Sequence, residues 1–182
     1  MTRRVLAVGG PPGSGKSTAG RLAAASLDLE FRSAGEEFRR SAAERSMDVD
    51  AFGQYAESHP EVDRELDERM LALARPGRLL EGRLTGPLCR RRAIPVDYVV
   101  VTASEAERIR RIARRDGRTL EEAGRHLRQR EASERVRYAT LYRIDLDLET
   151  PDLTVDATRP PPEEVARTIV TFVRAREAAG AP

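Results

Sequence analysis

The chain contains no tryptophan, one cysteine and one lysine, and only 4% of its 182 residues are aromatic. The single cysteine, Cys89, excludes an internal disulfide and a cysteine-ligated metal centre, and a lone thiol suits a reducing compartment. Aromatic residues are too few, and too separate from the basic ones, to form a stacking surface for bases. Although 34% of residues are charged, the net charge is only +2, so attraction to a polyanion is not compelled. No nucleic-acid partner is therefore expected. Long hydrophobic runs are missing too. The apolar stretch after Met1-Thr2-Arg3-Arg4 is only Val5–Val8 before glycine and proline end it, too short for a signal core or a membrane span. The expectation is a cytoplasmic protein with no membrane partner.

Positive charge is carried by thirty-one arginines and one lysine, Lys16. A GC-rich coding sequence favours arginine wherever either residue serves, so a persisting lysine marks a place that needs ammonium shape. Lys16 stands in GPPGSGKS, Gly10–Ser17, which satisfies the phosphate-loop spacing G-x-x-x-x-G-K-[ST]. The apolar run Arg4–Gly9 before it reads as a buried strand, and Lys16–Leu27 after it as a helix. That context makes Gly10, Pro11, Pro12, Gly13, Ser14, Gly15, Lys16, Ser17 and Thr18 the expected ATP-binding stretch. Backbone N–H groups converge on the phosphates, and glycines permit close approach. Lys16 places a compact charge near the β/γ phosphates, while the Ser17 hydroxyl is a Mg²⁺ ligand. Glu81, ending the apolar run Gly77–Gly82, matches the acid that holds such a metal through water.

Further strands are predicted at 28–33, 77–82, 96–104 and 151–158, alternating with helices, which implies a parallel α/β sheet. Residues 34–75 read as short helices broken near Asp48 and at 58–60, an insertion on the core. A helix starts near Ser104, RRDGRT at 114–119 breaks it, and Thr119 with Glu122 forms a capping-box pattern for the next. The last helix shares Val165, Ile169, Phe172 and Val173 on one face. Between Arg108 and Arg137, eleven arginines stand against five acids. Bidentate arginines suit charge neutralisation between two phosphorylated substrates, and a closing lid would exclude water.

GPPGSGKST, SAGEEFR (33–39), HPEVDRELDER (59–69), EGRLTG (81–86) and REASERVRYATLYRIDLDL (130–148), in this order, resemble the archaeal-type cytidylate kinases. The resemblance covers nearly the whole chain. It implies a three-layer phosphate-loop NTPase fold with a five-stranded parallel sheet, a helical insertion that binds the nucleoside monophosphate, and a short helical lid. The core would comprise 1–33, 76–113 and 139–182, the insertion 34–75 and the lid 114–138. It further implies transfer of the ATP γ-phosphate to CMP or dCMP with Mg²⁺, by a monomer. Ser33, Gly35 and Arg39 would shape the acceptor pocket, with Arg39 and Arg83 on its phosphate. Arg130 and Arg137 would take phosphates, and Glu134 the acceptor ribose or an arginine. Lys16, Arg83, Arg130 and Arg137 are thus the expected catalytic set, and Arg111 and Arg115 the ATP side of the lid.

One position departs from the bacterial-type cytidylate kinases, which carry a base-contacting acid after the arginine of the GR motif. Here that residue is Leu84. Cytosine offers an N4 amino donor beside N3 and O2 acceptors, so a selective pocket needs a carboxylate and a donor. Asp63, Arg64 and Asp67 are candidates, 63 and 67 being one helical turn apart. AMP or UMP as acceptor, a kinase for a small metabolite, and a nucleotide-gated RNA- or partner-binding protein remain the alternatives.

Overall fold

Five strands, β1 (Val5–Gly9), β2 (Glu30–Ser33), β3 (Arg78–Glu81), β4 (Val96–Thr102) and β5 (Leu153–Asp156), form one sheet in the order β2-β3-β1-β4-β5. Every pairing is parallel. The structure is a computed structural model that describes residues 4–180; residues 1–3 and 181–182, assigned above to the ends of the core, lie outside the described residues.

Alternation along the strands divides the core into two layers. Leu6, Val8, Leu79, Val99 and Val101 face α1 (Lys16–Ser26) and α8 (Pro162–Ala178), which supply Ala19, Ala23, Val165, Ile169 and Val173. Val5, Ala7, Leu80, Val96 and Tyr98 face the opposite way, towards Met70 of α4 (Pro60–Ala72) and Cys89 of α5 (Thr85–Arg91). A parallel sheet covered on both faces explains why its central strands read as continuous apolar runs rather than as alternating ones.

The segment 34–75 contains α2 (Ala34–Glu44), α3 (Val49–Ser58) and α4, with a small core of Ala42, Phe52, Ala56 and Val62. Its breaks fall where the sequence places them. Asp48 caps α3 by accepting the Ala51 N–H at 2.7 Å, and Pro60 opens α4. Beyond β4, α6 (Glu105–Asp116) ends on Gly117 in the left-handed region. Next comes α7 (Leu120–Tyr142), opened by the Thr119–Glu122 capping box. The segment 114–138 thus takes the end of α6, the turn, and all but the last turn of a 23-residue helix.

Helix α5 has no counterpart in the sequence reading. Its sequence, TGPLCRR, holds a glycine and a proline in seven residues. Pro87 is tolerated because it lies in the first turn. Gly86 is required by packing, since a Cβ there would come within 2.1 Å of the Tyr98 ring.

Candidate active site

The phosphate loop lies between β1 and α1, at the carboxyl edge of the sheet, where open α/β sheets bind ligands. Gly10, Gly13 and Gly15 all have positive φ, at 139°, 78° and 93°. A Cβ on Gly10 would lie 2.1 Å from the Val101 carbonyl oxygen. Such a loop holds its backbone N–H groups inward only because glycine leaves room. The first turn of α1 contains no acidic residue, so the positive end of the helix dipole is left for an anion. The buried Ser14 Oγ has no hydrogen-bond partner among the described residues. Ser17 and Thr18 are exposed at the mouth.

Lys16 Nζ donates to the Pro11 carbonyl at 3.3 Å and lies 3.7 Å from Glu81 Oε1. Burial pulls its pKa down; Glu81 supports the charged form, while Arg130 and Arg83 oppose it. Glu81 in turn accepts from Ser33 Oγ at 2.5 Å. This contact follows from register, because Ser33 and Glu81 are paired at the ends of adjacent parallel strands. Ser33 also caps α2 by accepting the Glu36 N–H at 3.3 Å.

Glu134 is the centre of a buried charge cluster. Although only 3% exposed, it forms ion pairs with Arg130 at 2.7 Å and Arg83 at 3.0 Å. Burial works against its ionisation, but Arg130, Arg83 and Lys16 outweigh burial and hold its carboxyl below the usual range. Arg137 points from the same helix to Asp63 of α4, donating at 2.8 and 3.0 Å. Burial raises the Asp63 carboxyl despite that partner. Asp67 lies one turn on, towards Tyr142; burial pushes it up to about 7, the Tyr142 hydroxyl opposing and the Asp63 charge adding. Two carboxylates, Glu134 and Asp63, therefore hold three arginines, of which Arg130 and Arg83 act on Lys16.

Other expected residues are placed differently. Arg64 is exposed on α4, and the partner of Asp63 is Arg137. Arg39 is exposed and without an ion pair among the described residues, near Gly35, whose Cβ would lie 3.6 Å from Arg39 Nη1. Arg111 braces the loop, donating to the Ser14 carbonyl at 3.0 Å and to the Ala157 carbonyl at 2.7 Å. Arg115 pairs with its neighbour Asp116. Leu84 is buried with Leu88, Tyr138 and Ile144, so no polar group reaches a base from that position.

Five contacts were not anticipated from the sequence. Arg108, counted above only among the basic residues, reaches the Pro12 carbonyl and Glu131. Asp50 of α3 pairs with Arg118 at 3.0 Å and lies 3.4 Å from His126, and Ser133 donates to Glu57 at 2.6 Å, so the segments 34–75 and 114–138 touch. The acid-to-base spacing of each pair exceeds any local motif, which leaves no periodic signal for it.

Fold and loop together define a phosphate-loop kinase. Shikimate kinase from Acinetobacter baumannii has the same fold, with a TM-score of 0.61 at 18% identity over 96% of this chain and 94% of that one. A protein from Eubacterium ventriosum superposes with a TM-score of 0.66 at 12% identity, covering 95% of this chain and 99% of that one. A family model described as an AAA domain matches residues 6–136. Sequence relatives are more specific. The cytidylate kinase of Pyrobaculum arsenaticum is 41% identical over 170 residues, 92% of this chain and 91% of that protein. That of Methanocaldococcus jannaschii is 36% identical over 158 residues, 85% of this chain and 89% of that protein. The chain belongs to the cytidylate kinase family.

Proposed function

We propose that the protein transfers the γ-phosphate of ATP to CMP or dCMP, giving CDP or dCDP. The observation that carries the reading is Glu134, a buried carboxylate holding Arg83 and Arg130 in the electrostatic field of Lys16. A triphosphate loop alone serves any nucleotide triphosphatase; a second, arginine-lined half-site beside it serves a phosphorylated acceptor.

The residues need only bind, orient and exclude water. The acceptor phosphate, with a second pKa of about 6, is already mostly dianionic near neutral pH, so no general base is required. Lys16 and the loop amides grip the donor, and Arg39, Arg83, Arg130 and Arg137 are released from carboxylates or solvent to grip the acceptor and the transferring group. For the base, Asp63 offers a carboxylate to the cytosine N4 amino group once Arg137 has moved to phosphate.

Magnesium fits the residues present. Among the described residues no three His, Cys, Asp or Glu gather around one point. The exposed Ser17 hydroxyl would supply one ligand and the Glu81 carboxylate would hold the ion through water, phosphate oxygens and water completing the shell. Bound with ATP, the ion would neutralise phosphate charge. Action as a monomer remains an expectation, and no helix among the described residues is long and apolar enough to cross a membrane. The remaining expectation is a cytoplasmic location.

The test is a panel of monophosphates assayed with ATP and Mg²⁺. CMP and dCMP should be the best acceptors. AMP or UMP in first place would overturn the base assignment, and hydrolysis independent of any acceptor would overturn the kinase reading.

A further inference from the structure

We propose that Arg108 is a positioning residue that links the two half-sites, carrying the state of the phosphate loop to the helix that bears the acceptor-side arginines. The inference rests on the two-substrate reading above. Arg108 is a charged residue only 9% exposed, and nothing in the transfer chemistry uses it. Its Nη1 donates to the Pro12 carbonyl of the loop at 3.3 Å and to Glu131 of α7 at 2.6 Å. Glu131 directly follows Arg130 and precedes Glu134 by three residues, so it shares a turn with both. The backbone of Arg108 abuts the loop as well, because a Cβ on Gly13 would lie 2.9 Å from the Arg108 carbonyl oxygen.

Packing alone does not explain an arginine here. The buried part of the α6–α7 contact is apolar, built from Ile112, Ala113, Ala123 and Leu127, with the Arg128–Glu105 ion pair at its exposed edge. A leucine at 108 would extend it without the desolvation cost of a buried guanidinium. That cost is not fully offset, because Arg108 Nε is buried with no hydrogen-bond partner among the described residues. Next to it lies a cavity of about 380 Å³ bounded by the loop (Gly10, Pro11), β4 (Val100, Thr102) and α7 (Glu131, Tyr138). On this side the helix is not wedged against the sheet by side chains. Its position relative to the loop depends on polar links, and among the described residues Arg108 touches both. A ligand that draws the loop inward moves Pro12, and through Arg108 and Glu131 it turns Arg130 and Glu134.

The test compares the wild type with Arg108→Leu, Arg108→Lys and Glu131→Gln, with a non-hydrolysable ATP analogue as the probe. In the wild type the analogue should slow amide exchange along residues 129–138. Arg108→Leu and Glu131→Gln should lose that protection, and Arg108→Lys, which keeps a donor, should retain part of it. Turnover should fall about tenfold in the first two, with the KM for ATP changed less than about threefold. Protection of α7 that persists in Arg108→Leu, or that is missing from the wild type, overturns the proposal. If Arg108→Leu does not fold, Glu131→Gln, altered only in charge, decides the matter by the same criteria. The exchange readout needs no acceptor, so it stands apart from the monophosphate panel, and either reading can fail alone.

Discussion

Arg137 donates to both oxygens of Asp63, at 3.0 and 2.8 Å, joining two residues 74 positions apart in the chain. The pair ties α4 to α7, and both partners are largely buried. Asp63→Asn keeps the shape and one acceptor oxygen but loses the negative charge that holds Arg137 and strengthens a bond from cytosine N4. Its kcat/KM for CMP should fall at least about tenfold while the KM for ATP stays near that of the wild type. Steady-state kinetics with each substrate varied in turn checks this; an equal loss on both sides would assign Asp63 to the fold.

Lys16→Ala should abolish turnover, and Lys16→Arg should come close to doing so, because the wider planar fork does not fit beside the Pro11 carbonyl and Glu81. Thermal unfolding followed by circular dichroism should show both variants folded. Near-normal activity in Lys16→Ala would remove the lysine from the mechanism.

Glu134→Gln removes the buried negative charge that holds Arg83 and Arg130. The loss at neutral pH should be about 3 kcal/mol of stability, the usual cost of leaving a buried charge unpaired. The folded-state carboxyl lies below its ordinary value, so its contribution is present above the unfolded pKa and is lost as pH falls through the folded one. Urea unfolding at a series of pH values should show the gap between wild type and variant narrowing on the acid side.

Asp67 has the opposite sign. Burial raises it to about 7, so its favourable contribution is full below the unfolded value of 3.8 and is lost as pH rises through about 7. Across that window the unfolding constant of the wild type should rise by at most about tenfold per pH unit on account of this group. Asp67→Asn should be flatter between pH 5 and pH 8. An unchanged slope in the variant would place the titration elsewhere.

Much of this was legible in the one-dimensional pattern, and the reasons differ by element. The phosphate loop could be read directly because its nine residues are contiguous and flanked by a strand and a helix. The capping box at Thr119 and the break at Asp48 could be read because caps act within three or four residues. Helix α5 was missed because glycine and proline are locally unfavourable; what places Gly86 there is the ring of Tyr98, a dozen residues on. The pairing of Asp63 was open for a similar reason. Arg64 is adjacent in sequence, yet the helix turns it to solvent and brings in Arg137 from another element.

By itself the sequence determined the strand–helix alternation, the anion-binding loop with its single lysine, and the stock of arginines, since each depends on contacts between near neighbours or on composition. Tertiary structure decided which charges meet. Parallel register puts Ser33 against Glu81, and the crossing of α7 over the loop brings Glu134 to Arg83 and Arg108 to Glu131. Ion pairing acts through space and has no period along the chain, so thirty-one chemically identical guanidinium groups acquire separate roles only once the sheet and its covering helices are in place.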